Sequence, residues 1–124
     1  MPGRDDLDPS ACNEVRLRGR LAAEPVEKVL PSGDTVASFR LVVDRAPRPG
    51  SSARVDTLDC AAFRSDLRRR LLRCAPGEVI EVEGALRRRF FRAGGAAASR
   101  YEVEVARVTR AARGAARRRA TMAG

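Results

Sequence analysis

The sequence contains no histidine among its 124 residues, and this absence excludes several kinds of chemistry. A Cys/His zinc site needs imidazole ligands, and Ser-His or Cys-His catalysis needs imidazole as the general base. Carboxylates could still catalyse, but Glu81 with Glu83 and Glu102 with Glu104 alternate along strand patterns, as residues on solvated strand faces do. We therefore expect a protein that is not an enzyme and uses no metal or cofactor.

Cysteine is scarce as well. Cys12, Cys60 and Cys74 are odd in number and share no short spacing, so they predict no disulfide framework. We expect buried or idle thiols.

Long apolar runs are also absent. No run approaches the roughly 20 residues of a membrane-spanning helix. The first residues, MPGRDDLDPSAC, lack the basic and apolar regions of a secretory signal. These features predict a cytoplasmic, nucleoid-associated protein with no membrane partner.

Arginine, by contrast, is in excess. The chain has 25 Lys+Arg against 16 Asp+Glu, a net charge of +9, and Lys28 is the only lysine. This charge predicts attraction to a polyanion, either nucleic acid or an anionic membrane surface. Six arginines and no acid lie in the last segment, RVTRAARGAARRRATMAG. That segment is either a solvated tail or a basic arm that grips nucleic acid.

Alternating apolar and polar residues predict five long strands. NEVRLRGRL has this period of two, and so do TVASFRLVVDR, RVDTLDCAAF, EVIEVEGALRRRFF and RYEVEVARV. VEKVL is a further segment that could pair. Between the third and fourth long strands, SDLRRRLLRC predicts a short helix with Ser65 as its N-cap.

The same alternation assigns a face to each strand residue. The predicted inward residues are Val15, Leu17, Gly19, Leu21, Ala37, Phe39, Leu41, Val43, Ile80, Val82, Gly84, Leu86, Tyr101, Val103 and Val105. Val36 and Val42 fall on the opposite face of their strand, where they would offer apolar surface to another subunit.

This element order predicts an all-β protein, a five-stranded OB-fold (Greek-key barrel) with one short helix between strands three and four. Residues 1–12 are expected to be a disordered extension, residues 13–109 the nucleic-acid-binding OB-fold domain, and residues 110–124 a disordered basic tail.

At this point the chain resembles the bacterial single-stranded DNA-binding protein family over residues 13–107. The resemblance rests on NEVRLRGRLAAEPVEKVLPSGDTVASFRL, on VDTLDCAAF, and on VEGALRRRFF with SRYEVEV behind it. It implies an OB-fold that assembles through its strands into dimers and usually tetramers. It also implies binding of single strands without sequence preference.

The chain departs from that family at its aromatic positions and at its end. The family's stacking aromatics fall at Pro47, Leu58 and Phe91, so one ring remains, and Phe63 is a possible substitute. The basic family position on the third strand falls at Cys60. The sequence ends in arginine and alanine where the family has an acidic tail that recruits partners. The resemblance is thus to a short, arginine-rich paralogue.

The stretch GALRRRFFRAGG carries the clearest candidate site. Alternation places Arg87, Arg89 and Phe91 on one outward face, which combines phosphate contacts with a ring that can stack on any base. Phe90 has the inward parity and is expected in the core or at a subunit interface. The alternative is that both rings pack on a neighbouring subunit and the arginines are solvated.

Three further arginines are candidates for phosphate contacts. Arg40 lies on the outward face of the second long strand. Three roles are open for Arg16 and Arg18: they line the nucleic-acid groove, they form salt bridges across a dimer interface, or they belong to a solvated strand face. The nucleic-acid-binding set predicted from sequence is Arg16, Arg18, Arg40, Phe63, Arg87, Arg89 and Phe91.

These residues predict sequence-independent binding of single-stranded DNA in replication, recombination or repair, by a homodimer or homotetramer. Two alternatives remain open. One is an OB-fold module that pairs with a replication or repair protein, or forms mixed oligomers with another single-strand binder, and contacts DNA weakly or not at all. The other is an RNA-binding OB-fold protein, because stacking and phosphate contacts do not read the 2′-hydroxyl.

Overall fold

The computed structural model describes residues 6–111. It has six strands and one helix: β1 (Val15–Leu21), β2 (Val26–Val29), β3 (Thr35–Asp44), β4 (Val55–Ala62), α1 (Ser65–Leu72), β5 (Val79–Ala93) and β6 (Ala96–Arg110). Residues 6–14 form no helix or strand, and most of the predicted basic tail lies outside the described residues.

Five of the strands close into a barrel. β1 pairs antiparallel with β5 along most of its length and with β3 at Arg20 and Leu21. β3 pairs with β4, β4 pairs parallel with β6 at Cys60 and Ala61, and β6 returns alongside β5. This circuit confirms the predicted OB-fold. The sixth strand, β2, pairs with β3 alone among the described strands, so VEKVL adds a short strand to the predicted five.

The core forms where the inward residues of the strands meet. Leu21, Leu41, Ile80, Val82 and Val108 are at most 1% exposed. Burying a side chain of this size stabilises the fold by about 1.5–3 kcal/mol. The helix α1 contributes Leu67 and Leu71 to the same cluster. The alternation seen in the sequence therefore reflects a single buried interior.

The predicted faces are wrong at several points. Leu86 and Tyr101 share the inward parity but are 46% and 61% exposed, because β5 and β6 run 15 residues each and extend beyond the barrel as a two-stranded arm. Val36, predicted outward, is 3% exposed, so it does not offer the apolar surface expected for another subunit. The N-cap of α1 is Arg64, so Ser65 is the first helical residue and not the cap.

Gly84 lets the backbones of the paired strands β5 and β6 approach closely at a β-bulge. The bulge lies between Glu83 and Gly84. A Cβ atom at Gly84 would lie 2.0 Å from the backbone oxygen of Glu104. Only glycine fits there, and the two long strands of the arm begin from this point.

No helix among residues 6–111 is long and apolar enough to span a membrane.

Candidate nucleic-acid interface

The strand register places the RRRFF arginines and phenylalanines on two faces of the arm. Arg87 pairs with Glu102, Arg89 with Arg100, and Phe91 with Ala98. Cross-strand partners point to the same side of a sheet, so Arg87, Arg89 and Phe91 share one face, as predicted. We call this side, which also carries Arg100 and Glu102, the first face.

Carboxylates hold the guanidinium groups of the first face. Nε of Arg87 donates to Oε2 of Glu104 at 2.8 Å. Arg89 donates to Glu102, whose second oxygen lies 3.7 Å from Nη2 of Arg100. Glu102 is only 3% exposed, and burying a carboxylate is costly unless cationic partners such as these lie beside it. A phosphate would therefore compete with these carboxylates for the arginines.

Two aromatic rings lie against arginines of the same face. The Cζ atom of Arg89 is 4.9 Å from the ring centroid of Phe63, and that of Arg100 is 5.6 Å from the centroid of Phe91. Phe91 is 41% exposed, whereas Phe63 is half-buried. Each ring is thus paired with a cation, in the combination that single-strand binders use.

A groove of about 1000 Å³ joins the start of β1 to the base of the arm. Its lining includes Arg16, Phe63, Arg64, Arg87, Glu104 and Arg107. The fold thus brings three residues of the predicted set (Arg16, Phe63 and Arg87) into one concavity, although they lie far apart in the chain. Arg64 was not predicted, since nothing in its local sequence marks it, and Arg107 was considered only as the first residue of the basic segment.

A second groove, of about 550 Å³, lies beside β2. Its lining includes Lys28, Ser38, Arg40, Asp59, Arg100 and Glu102. Arg40, a predicted contact, is held by Asp59 at 3.2 Å. Arg100 was missed because its only signal is its register opposite Arg89, which the sequence does not show.

The strand-one arginines make a tight ion pair with β5. Nε of Arg16 lies 2.6 Å from Oε1 of Glu81, and Nη2 of Arg18 lies 2.8 Å from Oε2. Hydrogen bonds from Arg16 and Arg18 lower the pKa of Glu81 below its ordinary value. Arg18 is not in the lining of either groove. These contacts tie β1 to its neighbouring strand β5.

Two positions that the resemblance matched to functional residues of the family, Leu58 and Cys60, have the inward parity of β4. Leu58 pairs with the buried Leu41 and has the inward parity of Cys60, so no ring at Leu58 would reach the outer face. Cys60 is 1% exposed in the core, and burial, followed by the charges of Asp59 and Glu102, raises the pKa of its thiol to about 12. Cys60 and Cys74 are buried as predicted, and Cys12 is exposed.

Comparisons with known proteins agree with this geometry. The chain is 35% identical over 82 residues to the single-stranded DNA-binding protein of Thermotoga maritima, an alignment spanning 62% of this chain and 57% of that protein. Its fold matches that of a Plasmodium falciparum SSB solved in complex with ssDNA, with a TM-score of 0.65 and 20% identity over 83% of this chain and 96% of that one. Residues 12–111 match the model of the Single-strand binding protein family. The chain belongs to this family.

Proposed function

We propose that this protein binds single-stranded DNA without sequence preference and without catalysis, in replication, recombination or repair. The observation that carries this proposal is the pairing of a ring with a guanidinium at two places on one outer face, Phe63 with Arg89 and Phe91 with Arg100. In such a pair the ring can stack on any base, while the arginine attracts phosphate.

The two grooves define the proposed path of the DNA strand over the protein surface. Arg16, Phe63 and Arg87 line the larger groove, and Lys28 and Arg40 line the smaller one. The first face of the arm lies between them, because Arg87 lines one groove and Arg100 the other. A single strand laid across this face would meet cations along its whole course.

The ring contacts favour single strands over duplex. In a duplex the base faces are stacked on one another and are not available to Phe63 or Phe91, whereas phosphates are available in both forms. Arginines alone would therefore give general affinity for polyanions. Discrimination between the two forms depends on the rings.

We also propose that the protein is a homodimer or homotetramer. The pairing of β1 with β3 is limited to Arg20 and Leu21. Over the rest of β1, the edge away from β5 has no strand partner among residues 6–111. An open strand edge is a template for pairing with another chain. Light scattering at micromolar concentration should give a multiple of the 13.5 kDa chain mass, and a monomer mass would contradict this proposal.

The central experiment is fluorescence anisotropy of a labelled oligo-dT across a salt series. Affinity should fall steeply as salt rises, because bound arginines release counterions. A duplex of equal length is the control, and duplex binding as tight as single-strand binding would contradict the proposal. Competition by a matched RNA oligomer tests whether RNA is bound equally well, since the rings do not read the 2′-hydroxyl.

One observation favours a second function, an OB-fold module that pairs with another replication or repair protein. Arg87 and Arg89, the arginines predicted to bind phosphate, are both held by carboxylates. If these ion pairs persist in the presence of DNA, the first face binds DNA with low affinity. A pull-down with a second single-strand binder distinguishes the two functions: stoichiometric mixed oligomers with no oligo-dT binding would favour the module.

A further inference from the structure

The arm has a second exposed face, opposite the first. In the strand register Arg88 pairs with Tyr101, Phe90 with Ser99, and Leu86 with Val103. Leu86, Arg88, Phe90, Ser99 and Tyr101 therefore point to one side, which we call the second face. Phe90 is 73% exposed and Tyr101 is 61% exposed, so this face carries more exposed ring surface than the first.

Arg88 links the two rings of the second face. Its Cζ atom lies 5.2 Å from the ring centroid of Phe90 and 5.7 Å from that of Tyr101. Its Nε and Nη2 atoms donate to the hydroxyl of Ser99 at 3.2 and 3.1 Å. Two rings and a guanidinium thus form an ordered surface, and Phe90 is not in the core where the sequence pattern predicted it.

Arg88, the cation of the second face, makes no ion pair with a described residue. No carboxylate of residues 6–111 lies within ion-pair distance of Arg88, whereas Arg87 is held by Glu104 and Arg89 by Glu102. A phosphate approaching Arg88 would displace no carboxylate of the described part of the chain. The second face therefore offers phosphate a more favourable cation than either predicted arginine of the first face.

The charge of the arm decides what can cover this face. Between Gly84 and Tyr101 the sequence has five arginines and no acidic residue. Two such arms placed face to face would bring like charges together, which opposes association between copies. A polyanion is attracted by the same charge, and exposed rings beside an unpaired guanidinium suit unstacked bases.

We infer that the second face is an additional contact site for single-stranded nucleic acid, with bases stacked on Phe90 and Tyr101 and a phosphate bound by Arg88. A single strand would then contact both sides of the arm. This inference rests on the proposed function and extends it to a surface that the family resemblance did not indicate.

The sequence offers a direct probe of this site. Tyr101 is the only tyrosine, and the chain has no tryptophan, so intrinsic emission near 300 nm (about the tyrosine maximum) reports on Tyr101 alone. Titration with oligo-dT, corrected for absorbance by the DNA, should quench this emission in parallel with the rise in anisotropy of the labelled oligomer.

Phe90→Leu and Tyr101→Leu keep an apolar side chain but remove the ring. Each should weaken binding by about 5- to 150-fold, the range for one stacked base.

Val29→Ala is the matched control, because Val29 is a 70% exposed apolar residue on β2, away from the arm. It should leave affinity for oligo-dT unchanged.

The inference would be overturned, and the proposed function left intact, if the labelled oligomer binds with a normal rise in anisotropy while Tyr101 emission and the affinity of both ring variants stay unchanged. Absence of any anisotropy change with the unsubstituted protein would refute both. Emission that changes on dilution without DNA, together with loss of the oligomer in Phe90→Leu, would show that the face binds a second copy and would also overturn the inference.

Discussion

Arg89 contacts Phe63 and Glu102 at once: its Cζ atom lies 4.9 Å from the ring centroid of Phe63, and its Nε donates to the Glu102 carboxylate. Phe63 follows β4 and Arg89 lies on β5, with α1 between them in the sequence. Their contact joins the end of β4 to the arm. Because a carboxylate already holds this arginine, a phosphate bound at the first face would have to replace an internal anion.

Ring and arginine substitutions on the first face should weaken DNA binding in different ways. Phe91→Ala should weaken oligo-dT binding by about 1–3 kcal/mol with little change in the salt dependence, because stacking releases few counterions. Arg87→Ala should reduce affinity and lower the salt slope by about one unit. Anisotropy at several salt concentrations measures both. Arg69→Ala, an exposed residue on α1, is the control and should change neither. An identical salt slope in Arg87→Ala would show that Arg87 makes no phosphate contact.

Removing the carboxylate that competes for Arg87 should strengthen binding. Glu104→Gln removes the negative charge that holds Arg87 and keeps a side chain of the same shape. We expect a gain in affinity of about 1.4- to 5-fold, because an exposed ion pair contributes roughly 0.2–1 kcal/mol. Asp34→Asn, in the exposed turn after β2, removes the same charge away from both grooves and should have a smaller effect. Equal gains in the two variants would attribute the effect to net charge alone.

Gly84→Ala should destabilise the domain strongly. The new Cβ atom would lie 2.0 Å from the backbone oxygen of Glu104, so a backbone shift between β5 and β6 is required. We expect a loss of about 3 kcal/mol or more in the free energy of unfolding, measured in urea. Gly94→Asn is the control: its φ of 60° suits asparagine and no atom lies within 4 Å of the added Cβ. Similar stability of Gly84→Ala and the unsubstituted protein would contradict the close approach.

Glu81 should make stability depend on acid pH. Because hydrogen bonds from Arg16 and Arg18 lower its pKa in the folded state, its contribution is present above its ordinary pKa of 4.5. That contribution is lost as pH falls below 4.5 through the lower folded-state value. When the pH is lowered from about 6 to about 3, the free energy of unfolding measured in urea should therefore fall less in Glu81→Gln than in the unsubstituted protein. The control Glu24→Gln, at an exposed loop position, should retain the full loss.

The three thiols should differ in reactivity. Burial raises the pKa of Cys60 to about 12 and also raises that of Cys74, whereas Cys12 is exposed. Since the thiolate is the nucleophile, iodoacetamide near neutral pH should modify Cys12 in the native protein and all three thiols in denaturant. Mass spectrometry of the digested protein identifies the adducts. Native modification of Cys60 would place it outside the core.

The sequence by itself determined the barrel and the charge of its surface. Alternation in NEVRLRGRL and EVIEVEGAL specifies buried and solvated strand faces, because the strand repeat of two is a property of the backbone. It also determined that Arg87, Arg89 and Phe91 share a face, since they lie two residues apart on one strand. The excess of arginine and the absence of histidine needed no structure to interpret.

Only the tertiary structure decided how those side chains are used. Inward parity predicts burial only where a second layer covers the strand, and the arm extends beyond the barrel, so Phe90 and Tyr101 are exposed. Local sequence does not show that Arg89 is held by Glu102 while Arg88 meets no carboxylate among the described residues. That difference depends on the register of β6 against β5 and on the bulge at Gly84, which are set by packing between residues distant in the chain.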